Sequence, residues 1–457
     1  MNARARGAGR GADNARRPHG GALRTPSHAT LPAMPAAALL LYRALFGLAL
    51  PVAVPWLLWR NRRRGRPPLR VRERLGLDLP PVRPGGVWVQ AVSVGEVAVA
   101  RLLLKELRRR HPLLPAVLTS TTVTGLRLAA GPQLADVILP FPLDLPGPVR
   151  RMADHIAPRL LVLVETELWP ELLAACGRRG VAVAIANARI SDSSLPRYRA
   201  VRPLMRPLLA PVTLVLAQGE VEAERFAALG IAPQRIHITG NIKFDAAPLG
   251  PPPAVAGQIR RLAGARRVLV AGSTMAGEEE LVLDAWLAVE TSRRPFLLLA
   301  PRHPERAGEV AALLQARRVA AARRSMLDGV QGPLDAVVLD TVGELAALYE
   351  LGCVAFVGGS LVPTGGHNPI EPARFGVPVL TGPYVRNFAS VYHHFFAAGA
   401  ARLVRGATDL RHQLERWLAN PGEAQQAGAA GRALLARHAG ATARTVDALE
   451  PLLGLPC

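Results

Sequence analysis

Glu96, in "VQAVSVGE", stands just past an apolar run and at the start of an amphipathic one. A carboxylate at such a strand-to-helix turn either complements the helix dipole or projects into a cleft, where it can take a proton from an attacking hydroxyl. Glu165 and Glu167 end the next clear apolar run, in "LVLVETELWPE". Two acids two apart share a face only if the strand continues, so the spacing assigns one of them to the first turn of a helix rather than both to catalysis. Lys243, in "GNIKFD", is one of only two lysines, with Lys105, among 56 basic residues. An ammonium kept in an arginine-biased chain points to a compact charge facing a cleft. The plainer alternative is chance survival of one codon.

A second set of residues has the chemistry of phosphate and nucleotide recognition. "LAPRHPER" ends an apolar run with Arg302 and His303, and "LDTVGELAAL" places Gly343 and Glu344 at a helix start. Helix N-termini with a guanidinium nearby bind phosphate through N–H donors and charge together. His303 reads equally well as an exposed loop histidine. Gly358 to Pro383, "GGSLVPTGGHNPIEPARFGVPVLTGP", reads as strand, ligand loop and helix start, because its glycines admit positive φ or a close ligand and its prolines pre-set a helix. Within it Asn368, Pro369, Ile370 and Glu371 open the helix: Asn368 can cap, and Glu371 can accept from ribose hydroxyls. A simple capping box has the same Asn-x-x-Glu spacing. No Asp-x-Asp and no His/Cys cluster with metal-ligand spacing occurs, so no metal is expected.

These residues need elements to hold them. From Val87 onward short apolar runs alternate with amphipathic runs of 10 to 15 residues, the pattern of parallel sheets built from βαβ units. "DAAPLGPPPAVAGQ", Asp245 to Gln258, has neither period and reads as an interdomain linker. The expected fold is α/β, with two Rossmann-like doubly wound domains, 60–245 and 246–457, and ligands at the carboxyl ends of the strands. Ahead of them, 1–34 is an Arg-rich extension expected to be disordered. Residues 35–59, apolar but for Arg43 and interrupted by Pro51 and Pro55, are expected to form a membrane anchor that spans the bilayer or lies in its interface. The arginines of "RNRRRGRPPLRVRER", Arg60 to Arg74, then place the domains on the cytoplasmic side. Three widely spaced cysteines argue against structural disulfides. The net charge of +22 admits nucleic acid or an anionic membrane as partner, but its densest clusters lie in the tail and beside the apolar segment, which disfavours nucleic acid.

In order along the chain, "SVGE", "ETELWP", "NARIS", "GNIKFD", "GST" before "GEEE", "PRHPER" and "GGHNPIEP" resemble the 3-deoxy-D-manno-octulosonic acid (Kdo) transferases of lipopolysaccharide synthesis, over about Leu41 to Val404. The resemblance implies a glycosyltransferase of the GT-B type, held at the inner membrane, that moves Kdo from CMP-Kdo to an anionic lipid A precursor with inversion. It matches Glu96 to the catalytic base, and Glu165 and Lys243 to transition-state stabilisation. Arg302, Gly343, Glu344 and the run Asn368, Pro369, Ile370 and Glu371 match the CMP site. No cofactor is implied, CMP-Kdo being the donor substrate. The arginines beside the anchor would attract the acceptor's phosphates. The competing readings are another GT-B nucleotide-sugar transferase, a sugar-nucleotide epimerase and, further off, a nucleic-acid-binding protein.

Overall fold

The computed structural model describes residues 36–63, 70–130, 134–191, 194–245, 253–330 and 332–455. The expected extension over 1–34, the arginines at 64 and 66 and most of the Pro-rich linker lie outside them.

Seven strands form the first sheet: β1 Val87–Ala91, β2 Ala116–Ser120, β3 Val137–Pro140, β4 Leu160–Val164, β5 Ala182–Ala188, β6 Val212–Ala217 and β7 Ile236–Ile238. Their order is β3-β2-β1-β4-β5-β6-β7, and every pairing is parallel. The strands read as unbroken apolar runs because helices cover both faces. Trp88, Leu161 and Leu163 point into one core layer, whereas Val87, Val89, Leu160 and Val162 point into the other. Chain order reverses between β1 and β4, which opens a crevice at their carboxyl ends.

A second sheet repeats the plan with β8 Val268–Thr274, β9 Phe296–Pro301, β10 Ala321–Arg323, β11 Ala336–Val338, β12 Val354–Val357, β13 Val379–Thr381 and β14 Ala401–Leu403. The order β10-β11-β9-β8-β12-β13-β14 is again all parallel, with its reversal between β8 and β12. Two doubly wound halves are therefore present.

Their boundary is not the simple cut at 245. The last helix, Ala441–Leu453, buries Val446, Leu449 and Leu453 with Val87, Leu103 and Leu160 in the first half, although it follows the second half in sequence. Phe244 goes the other way and packs with Val357, Ile370, Tyr392 and Phe395 of the second half. Asp245 fastens the exchange by accepting from the backbone N–H groups of Gly440, at 2.8 Å, and Thr442, at 2.5 Å. Amphipathic spacing shows that a helix has an apolar face but not which sheet that face will meet, so the 246–457 expectation missed this return.

The apolar N-terminal segment forms a helix, Ala36–Arg63, with Pro51 and Pro55 inside it. Among the described residues no helix is long and apolar enough to cross a membrane, so the fold does not confirm the expected anchor. Polar contacts tie this helix to the first half: Tyr42 donates to Asp144 at 2.9 Å, and Arg43 grips Glu171 at 2.8 and 3.1 Å.

Because Leu449 is fully buried against the first sheet, Leu449→Ala should destabilise that half by about 2–5 kcal/mol. Hydrogen exchange should then show lost protection in Val87–Ala91 and unchanged protection in Val268–Thr274. The opposite distribution would place the helix with the second half.

Candidate active site

At the carboxyl end of β1 the chain turns through Val92 and Ser93 into the helix Val94–Arg110. Ser93 is its N-cap, accepting from the Glu96 N–H at 3.3 Å, and Glu96 reaches back to accept from Ser93 Oγ and from the Val92 N–H, both at 2.7 Å. This is a capping box. The helix-terminal role weighed in the sequence is thus realised, and it also fixes the carboxylate in one rotamer at the crevice. Each oxygen has one of these partners and keeps lone-pair capacity for another. Burial raises the Glu96 pKa, with a smaller push from Glu165.

Glu165, just past β4, has φ of 63°, a left-handed conformation that costs a non-glycine residue energy. Its N–H is held by the Ala186 carbonyl, and its carboxylate meets Lys243 Nζ at 2.5 Å. Lys243 is positioned from β5. Asn187, itself at φ 54°, accepts from the Ile242 N–H at 2.9 Å, and Asn241 caps the Lys243 N–H at 3.0 Å. The "NARIS" and "GNIKFD" motifs therefore brace one another. Glu167 completes the group. Burial first, then the charges of Glu96 and Glu165, push its pKa up to about 8. The sequence reading set Glu167 aside in favour of Glu165, yet both acids face the same group.

In the second half the loop after β12 is built on a buried carboxylate. Glu278 accepts from the N–H groups of Met275, Gly359, Ser360 and Leu361 at 2.6–2.9 Å. Glu279 beside it is held by Thr274 Oγ1 at 3.0 Å and Arg306 Nη1 at 2.8 Å. Three acids, Glu278, Glu279 and Glu280, stand in the first turn of the helix Glu278–Leu287. Their tertiary use, holding a loop some 80 residues onward, left no local signal. Gly358 has no room for a side chain, since a Cβ would lie 2.6 Å from the Ser273 carbonyl oxygen.

The charge of Arg302 acts on both His367 and Glu371, lowering the pKa of each by less than burial shifts it. Asn368 does two things there, accepting from the Ile370 N–H at 3.1 Å and donating to Glu371 Oε1 at 3.2 Å. Ile370 itself points into the core. Burial raises the Glu371 pKa and lowers that of His367 to about 4, so His367 is neutral near pH 7. His367 Nε2 is buried without a partner, as are Asn187 Nδ2, Asn241 Nδ2 and Thr166 Oγ1 beside the acid cluster. Buried polar atoms left unpaired in crevices are the atoms a polar ligand would satisfy. Gly343, at φ 93°, has open space where a side chain would stand. Glu344 is committed to Arg324 at 2.9 Å, which lowers its pKa, and to Thr341, so it fixes its loop. The halves meet at Gly95, where a Cβ would lie 3.9 Å from Lys243 Nζ and 3.8 Å from the Asn387 carbonyl oxygen.

Residues 69–246 match the family model "3-Deoxy-D-manno-octulosonic-acid transferase (kdotransferase)". A 3-deoxy-D-manno-octulosonic acid transferase of Bordetella pertussis is 39% identical over 435 residues, 90% of this chain and 100% of that protein. The chain belongs to the Kdo transferase family. A second member, from Haemophilus influenzae, is 34% identical over 84% of this chain and 91% of its own length. Among solved structures, a UDP-GlcNAc 2-epimerase from Neisseria meningitidis is 13% identical, covers 80% of this chain and 100% of its own, and superposes with a TM-score of 0.50. That likeness is one of fold, the two-domain GT-B-like arrangement.

For a Kdo transferase the acid cluster lies at the strand ends of one half, and the Arg302, His367 and Glu371 group lies at those of the other. Among the described residues no group of three or more His, Cys, Asp or Glu is placed to hold a metal ion. Glu167 is protonated at neutral pH and can donate a hydrogen bond, whereas its ordinary pKa of 4.5 would leave it charged. A raised carboxyl pKa adds stability that is full below about 4.5 and is lost as pH rises through about 8. Glu167→Gln stays neutral throughout. Its melting temperature should fall less than that of the wild type between about pH 6 and about pH 9. Equal falls would mean that Glu167 is not a buried neutral acid.

Proposed function

We propose that this protein transfers Kdo from CMP-Kdo to a hydroxyl of an anionic lipid A precursor, with inversion at the anomeric carbon. The observation that carries this reading is the buried Glu96, held by its own capping box beside the Glu165–Lys243 pair at the junction with the second half. Burial raises the Glu96 pKa, which makes it a stronger base than an exposed carboxylate.

The acceptor hydroxyl approaches Glu96, which takes its proton as the oxygen bonds to the anomeric carbon. The bond from that carbon to the phosphate oxygen breaks on the opposite face, and CMP departs with the electron pair. Charge develops on the departing phosphate, so fixed cations and N–H donors serve better than a single proton donor. Arg302 supplies such a cation. Glu371 accepts from the ribose hydroxyls, and the neutral His367 offers its unpaired Nε2 to the nucleotide. Lys243, restrained by Glu165, stands by the sugar carboxylate. Gly343 leaves room for the nucleotide, and Glu344 keeps that loop in shape. None of these steps calls on a metal or a cofactor.

An acceptor embedded in a bilayer requires the cleft to work at a membrane surface. The Ala36–Arg63 helix exposes Leu40, Leu41, Leu45, Leu48, Trp56 and Trp59, a composition suited to the interface. In this reading it lies on the cytoplasmic face of the inner membrane rather than through it, and Arg70, Arg72 and Arg74 stand where the chain enters the first half.

CMP release should be measured with detergent-solubilised protein, CMP-Kdo and a tetraacylated lipid A precursor, with chelator present. Release that requires the lipid is expected, and Glu96→Gln should lower it by about 10²–10⁴-fold without loss of melting temperature. The kcat/KM profile should lose activity on acidification with a midpoint above the ordinary carboxylate range. Lipid-independent release, or an unimpaired Glu96→Gln, would overturn the assignment, and loss of activity in chelator would overturn metal independence.

A further inference from the structure

A cavity of about 370 Å³ opens on the first half and shares no residue with the acid cluster. Four arginines line it, Arg43, Arg150, Arg178 and Arg179, with a single acid, Glu171. Glu171 is fully buried and accepts from Arg43 at 2.8 and 3.1 Å and from Arg178 at 3.1 Å. Arg179 turns to Asp154 at 2.6 and 2.9 Å and to the Ala175 carbonyl at 3.1 Å. Arg150 is exposed and has no hydrogen bond or ion pair among the described residues. Four guanidiniums thus face two carboxylates, one of them already shared, and the excess charge is concentrated in a concave surface.

Planar guanidiniums in a fixed arrangement match the oxygens of a phosphate. What selects the source of that phosphate is the helix that supplies Arg43. Leu40, Leu41, Leu45 and Leu48, on the turns around Arg43, are 59–75% exposed. Apolar side chains and a basic groove therefore share one edge of the molecule, as a headgroup phosphate and its acyl chains do in a leaflet. We infer that this groove binds the phosphate of an anionic membrane lipid, at a site separate from glycosyl transfer. The inference rests on the interfacial placement of the helix proposed above and not on the chemistry assigned to Glu96.

The test uses the full chain and vesicles of phosphatidylcholine with or without phosphatidic acid, read by co-flotation. Wild-type protein should bind the phosphatidic acid vesicles more tightly. Arg150→Ala with Arg178→Ala leaves the Arg43–Glu171 pair intact and should weaken that binding by about fivefold per arginine. Arg260→Ala with Arg293→Ala removes the same charge from the surface of the second half and should change it less than about twofold. Equal losses in the two variants would show diffuse attraction and overturn the site. Inorganic phosphate should displace the vesicles more than chloride does at equal ionic strength, and equal displacement by the two salts would overturn phosphate recognition by the groove. If the double variant melts early, Arg150→Gln alone, which has no partner to lose, must still show its share of the loss. Glu96→Gln should float as the wild type does, so failure of the transfer reading and failure of this one are separable.

Discussion

Buried carboxylates that accept backbone N–H groups hold both halves of the cleft in shape. Glu278 is the fullest case, with four amides gathered on one side chain from two separate segments. Such bonds are charge-assisted and lie out of water, so removing the acid would strand several donors at once. Glu96 fixes the β1 turn by the same means, Asp144 receives the start of the Pro170–Arg179 helix, and Asp245 receives the start of the last helix. The loops that carry the chemistry are thereby shaped by acids in a chain whose composition is strongly basic.

The arginines have the complementary task. Arg74 donates to the carbonyls of Phe141 and Thr121, Arg159 to Leu453, Arg267 to Leu418 and Arg444 to Thr239. A guanidinium offers five N–H groups in a rigid fork and can bind two carbonyls while its charge stays near solvent. Much of the positive charge in the folded body therefore serves as structural cross-linking. The groove at Arg150 differs because there the charge is left unspent.

The alternation of apolar and amphipathic runs made both sheets legible in the sequence, since strands covered on two faces need no finer pattern than continuous Val, Leu and Ala. Positions at strand ends followed from the fold class, so Glu96, Glu165, Lys243, Arg302 and Glu371 were visible as polar residues just after apolar runs. What stayed hidden depends on contacts distant in sequence. The placement of Leu449 on the first sheet, the grip of Glu278 on Gly359 and the neutral state of Glu167 all arise from neighbours that local spacing does not name. The contacts of Tyr42 and Arg43 with Asp144 and Glu171, which tie the Ala36–Arg63 helix to the body of the protein, were hidden for the same reason.

The crossing at Phe244 and Asp245 has a mechanical side. Phe244 stacks on His438 with ring centroids 4.5 Å apart, and Asp245 pins the returning chain at Gly440, so among the described residues the outgoing and returning chain run side by side. Adjacent crossings of this kind are where hinges between domains form. Lys243 is the residue next to that crossing and is tethered to Glu165, so the acid cluster is anchored beside the place where the chain changes halves.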